Sequence, residues 1–194
     1  MPLSFILLGI SIIYLIFYND VIKYKNILIF LLILMLIGYF APLIDILDGA
    51  LFNFFIFVPA FILNIYFIVK LNKIEGLIFL GCIILTLTIY ILMVINNMEL
   101  STLFSSIYIF LITLFFAILQ SFNLNLSLAY TISSFVMFDI LNIVLIKKSA
   151  GVVTVFSVES FSMVVYVVFV SIIVNKLFVC LKSKRKTKEK ESNV

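Results

Sequence analysis

Apolar residues run through this chain in long blocks, and polar positions fall almost entirely between the blocks. A membrane span needs roughly 20 apolar residues, with about 17–25 tolerated. Seven runs meet or approach that length, at residues 3–18, 27–47, 51–69, 77–95, 103–120, 126–146 and 152–174. Each is apolar around its whole circumference, as a helix solvated by lipid should be. The stretches between them, among them "NDVIKYKN", "KLNKIEG", "NNMELS", "SFNLN" and "KKSAG", carry turn chemistry and are too short to hold a soluble domain. The pattern predicts an all-α fold, a polytopic transmembrane helix bundle of about seven spans. One domain covers residues 1–181, and a disordered basic tail covers 182–194.

The last run is the least regular. Residues 151–181 are too many for one upright span, and Glu159 and Lys176 interrupt them. The simplest solution ends the helix near Asn175 and lays residues 177–181 along the interface. A six-span alternative makes residues 152–158 re-entrant. Pro42 and Pro59 flank the Asp48-Gly49 turn and predict broken or kinked helices there.

Composition supports the same class. The chain is 65% hydrophobic and 11% charged, where a soluble domain carries about 25% charged residues. Its solvent must be lipid, so a multi-pass integral membrane protein is expected. The cations set the orientation. Lys23, Lys25, Lys70, Lys73 and seven tail residues fall on one side, and only Lys147 and Lys148 on the other. Positive charge stays inside, which predicts a cytoplasmic C-terminus and an outside N-terminus. The tail cluster suits anionic lipid headgroups. It offers neither a folded basic face nor stacking aromatics, so nucleic acid is not an expected partner.

The residues that are missing narrow the chemistry. The chain has no histidine, and its sole arginine, Arg185, lies in the tail. Histidine-assisted hydrolysis and bidentate phosphate binding inside the bundle are thereby excluded. No Walker A or GxGxxG loop occurs, and only one aspartate, Asp139, lies deep within a span. No catalytic residue, metal ligand or cofactor is expected. Cys82 and Cys180 stand apart, without the spacing of a disulfide framework.

Function must then rest on a few intramembrane polar groups. A charge at a helix centre costs roughly 2.5–3.5 kcal/mol on insertion scales, so it faces a partner or a cavity. Asp139 and Asn142 share a helix face, and Glu159 opens the last run. If the last two runs form a hairpin at residues 147–151, Asp139 and Glu159 lie at one depth, about 12 Å below the rim. They are expected to meet there. Asn64 and Gln120 are expected to bond neighbouring helices. Asp45, Asp48 and Glu99 form an acidic outer rim, and the first two require the second helix to have stopped after Pro42. Ser127, Thr131 and Ser134 form a small-residue packing face, suited to a partner helix or a second copy of the chain.

The stretch "DILNIVLIKKSAGVVTVFSVESFSMVVYVV" resembles the end of the YphA-like family of small multi-span membrane proteins. The likeness rests on Lys147-Lys148, Gly151, Phe156 and Glu159, and covers the last quarter of the chain. The chain departs from that family in lacking tryptophan. The resemblance implies a Bacillota cell-membrane protein and carries over no catalytic residue. Two functions are compatible with all of this. One is a non-enzymatic interaction subunit of the membrane. The other is a small solute, cation or proton transporter component that uses the intramembrane acids.

Overall fold

The computed structural model describes residues 22–47, 50–96, 102–145 and 153–191. The first expected span, together with Asp48 and Glu99, lies outside these residues. Among them are six helices and one small sheet. In chain order they are α1 (Ile22–Phe40), β1 (Ile44–Leu47), β2 (Ala50–Phe52), α2 (Phe54–Val69), α3 (Lys73–Asn96), α4 (Thr102–Leu119), α5 (Leu124–Leu145), β3 (Val153–Val155) and α6 (Val158–Glu191). Three helical stretches, Lys73–Met93, Leu124–Ile143 and Val158–Ser183, are long and apolar enough to cross a membrane. Ile29–Phe40, Phe54–Val69 and Ile109–Leu119 are apolar but shorter.

Local chemistry sets the boundaries. Helix α1 stops at Phe40, two residues before Pro42, where a following proline disfavours helical backbone. Asp45 is therefore on a strand, exposed, and does not oppose a helix dipole. Pro59, by contrast, lies inside α2, which continues through it. Helix α3 opens with a reciprocal cap. Glu75 N–H donates to Asn72 Oδ1 over 2.9 Å, and Asn72 N–H donates to Glu75 Oε2 over 3.0 Å.

The sheet was not expected. Strands β1 and β2 form an antiparallel hairpin, and β3 joins β2 in parallel with Ala50 opposite Val153 and Phe52 opposite Val155. The "VTV" of β3 is β-branched throughout, which suits a pleated strand better than the helix that apolarity alone predicts. This corrects the reading of residues 152–157 as the first turns of a span.

The final helix also differs from expectation. It has 34 residues, about 51 Å at 1.5 Å per residue, and runs on through Glu191 into the segment expected to be disordered. Lys, Arg and Glu are strong helix formers, and extending an existing helix avoids the cost of nucleation.

Helix α5 is the centre of the bundle. It packs against α2, α3, α4 and α6, and also against β3. At the end opposite the sheet, two bonds tie the turns together. Asn123 donates to Glu75 across the α2–α3 and α4–α5 turns, and Asn175 Nδ2 of α6 donates to Ser121 O over 2.6 Å.

Candidate functional site

Helix α5 carries polar residues on several faces, and each face meets a different neighbour. Ser133 donates to Asn64 of α2. The Tyr130 and Thr86 hydroxyls of α5 and α3 are 2.7 Å apart. Tyr90 of α3 donates to Asn142 Oδ1. Ser127 Oγ lies 2.9 Å from the Ala117 carbonyl of α4 and 3.0 Å from Ser171 Oγ of α6. Thr131 is turned onto its own helix and donates to Ser127 O over 2.8 Å. Ser134 is buried beside Tyr130. The small-residue face of Ser127, Thr131 and Ser134 is thus used within the chain, not left open for a partner helix. Asn64 makes the interhelical bond expected of it. Gln120 is buried where α4 ends, but neither its amide oxygen nor its amide nitrogen has a hydrogen-bond partner among the described residues, so the bond expected of it does not form.

Asp139 is 4% exposed, and its Oδ2 accepts the backbone N–H of Phe156 over 2.9 Å. Phe156 has φ 57°, in the left-handed region, and is the one non-glycine there among the described residues. A bulky residue rarely sits in that region. Two features hold it. The carboxylate fixes its N–H, and its buried ring lies 4.7 Å from the ring of Phe57, 5.6 Å from Phe135 and 6.1 Å from Phe52. Ser157 then starts α6: Ser160 N–H donates to Ser157 Oγ over 3.1 Å, an ordinary N-cap bond.

The expected Asp139–Glu159 contact does not form. Among the described residues, no hydrogen bond joins the two, and Glu159 is exposed in the first turn of α6. A negative charge there complements the helix dipole. Equal depth for Asp139 and Glu159 would require helix on both sides of the turn. A strand rises about twice as far per residue as a helix, so β3 brings Phe156, not Glu159, to the level of Asp139.

Beside Asp139 lies a cavity of about 50 Å³ between α4, α5 and α6. Thr131, Phe135, Asp139 and Asn142 line it from one stripe of α5, at helical spacing. Thr113 faces them from α4 and Ser160 from α6. Thr113 is 7% exposed, and its hydroxyl has no hydrogen-bond partner. Apolar side chains such as Phe110, Phe138 and Val164 close the rest. Asp139 and Asn142 are thus brought to one site, while Glu159 and Asp45 stay outside it. Thr113, Ser160 and Tyr90 were missed. Isolated hydroxyls in runs such as "FLITLFF" were the available signal, but serine and threonine so often bond their own helix that the pattern carries little weight.

No group of three or more His, Cys, Asp or Glu side chains that could hold a metal occurs among the described residues. The site can offer one carboxylate, one amide and three hydroxyls in an otherwise apolar surround. No family model matches the chain, and no curated protein or solved structure is found to be similar to it.

Proposed function

We propose that this chain is a non-enzymatic, multi-pass membrane protein that takes up a small cation, proton or solute in the cavity beside Asp139. The observation that carries this reading is a carboxyl group 4% exposed, lining a mainly apolar cavity of about 50 Å³ inside a bundle otherwise made to face lipid. Ionisable groups within spans are costly and mark ion or proton routes. The alternative of an interaction subunit loses the face on which it rested, because Ser127 and Thr131 are fully buried and bonded within the chain.

Seven spans and a cytoplasmic C-terminus complete the proposal. Support comes from the grouping of the α2–α3 turn, the α4–α5 turn and Asn175 at one end, with the sheet at the other. Lys70 and Lys73 lie at that first end, the side that the positive-inside rule assigns to the cytoplasm. The basic end of α6 would meet anionic headgroups there. A reporter fused after Val194 should read as cytoplasmic, and one inserted at residues 147–151 as external. A shared compartment would remove the seventh span.

Transport is tested in vesicles. The purified chain is reconstituted with a pH-sensitive dye in one set and a sodium-sensitive dye in another, and an ion gradient is imposed. Protein-dependent dissipation of either gradient, lost when Ser160→Leu fills the cavity, is the expected result. No dissipation of either gradient would overturn the reading.

A further inference from the structure

The cavity has a chemical asymmetry that narrows its occupant. Among the described residues that line it, Asp139 is the only ionisable one. Its Oδ2 takes a neutral N–H from Phe156, which satisfies an oxygen but supplies no charge. A buried carboxyl group in an apolar surround must be neutralised, by a proton or by a bound cation. The same cavity presents Thr113, whose buried hydroxyl has no partner among the described residues and is costly if left so. Asn142 already uses its carbonyl to accept from Tyr90. One carboxyl group and one unpartnered hydroxyl therefore line a common space of about 50 Å³, room for a few water-sized bodies.

From this the geometry points to a partly hydrated monovalent cation of sodium size as the occupant, held between Asp139 and the Thr113 hydroxyl with water in the rest of the space. This rests on the cavity reading above and names its substrate class. A divalent ion is disfavoured. Calcium takes 6–8 oxygen ligands, commonly from several carboxylates, and one carboxylate would leave a net positive charge in an apolar surround. A neutral solute would leave the carboxylate unbalanced. A monovalent cation balances the charge and accepts the hydroxyl lone pairs.

The test uses thermal unfolding of the purified full-length chain in detergent. Sodium chloride is titrated against N-methylglucamine chloride at constant ionic strength, with potassium and lithium as size controls. A ligand of the native state alone should raise Tm by about 3–5 °C for each tenfold step above its Kd. Asp139→Asn keeps an acceptor for Phe156 N–H but removes the charge, and should abolish the sodium response. Thr113→Val removes only the unpartnered hydroxyl. It should leave Tm unchanged or higher in N-methylglucamine and flatten the rise in sodium. This variant keeps the test sharp if Asp139→Asn does not fold. Identical melting of the unaltered chain in sodium and N-methylglucamine would overturn the inference, and so would a full sodium response in Thr113→Val. If sodium leaves Tm unchanged while vesicles still dissipate a proton gradient, the cation assignment falls and the transport reading stands. If sodium stabilises the chain but no gradient moves, the site stands and transport falls.

Discussion

Helices α3 and α5 are both long enough to cross a bilayer, yet they solve opposite problems. The Lys73–Met93 stretch of α3 has a mean hydropathy of 2.5 and is 22% buried within the protein, whereas Leu124–Ile143 of α5 has 1.5 and is 72% buried. The more polar helix is the more hidden one. In water the order would be reversed, because burial there is driven by apolar area. Lipid tails are as apolar as leucine, so they give α3 no reason to withdraw its leucines. Hydrogen bonds and close packing of small residues instead draw α5 inward. Two threonines of α3 show the same division. Thr86 is buried against Tyr130 of α5, while Thr88 is exposed and bonds only its own helix at Ile84 O.

The largest way to break this comparison lies where α5 holds the sheet. Phe156→Ala should cost about 3–5 kcal/mol of stability, as for other fully buried aromatics. Ile84→Ala, at 62% exposed on α3, should stay within about 0.5 kcal/mol. Equal losses in a detergent melt would mean that α3 packs on something beyond this bundle. Next in size is Ala129→Leu on α5, where a site with 0% exposure has no room for added methylenes; about 1–3 kcal/mol is expected.

Asp139→Leu sharpens the comparison at a single bond. It strands the buried Phe156 N–H and should cost about 1–3 kcal/mol by the same melt, with Asp139→Asn losing less. A leucine variant as stable as the asparagine one would show that the carboxylate does not hold the chain at Phe156. The smallest effect separates the two threonines. Tyr130→Phe, which removes the bond to Thr86, should cost about 0.6 kcal/mol, the average for interhelical bonds in membrane proteins. Thr88→Val should be neutral, and a loss matching that of Tyr130→Phe would erase the distinction.

Much of this was legible in the residues. Pro42 announced the end of α1, and Asn72 with Glu75 sits in a break visible as "KLNKIEG". Asp139 was recognisable as a group that needs a partner, because a lone charge in an apolar run cannot face lipid. Its actual partner was not legible. A backbone N–H carries no side-chain signature, and Phe156 meets Asp139 only because three residues before it are extended. Apolar period cannot separate a buried strand from a span when "VVTVFSV" runs into a long apolar helix. The packing role of Ser127 and Thr131 was readable, but which helix they face was not, since small residues suit an internal neighbour and a foreign one equally.

The parallel pairing of β2 with β3 has a consequence for the order of events during synthesis. Ala50 and Val153 are partners although about a hundred residues separate them. The chain is made from its N-terminus, so β2 must wait with one edge open while α2 to α5 are made. Contacts this distant in sequence form slowly, because a long loop must close before they gain anything. Once β3 arrives, it brings Phe156 to Asp139 and closes the edge in the same step. The sheet therefore acts as a completion mark: a chain truncated before Val155 has an open strand edge and an unclasped carboxyl group, and it lacks α6.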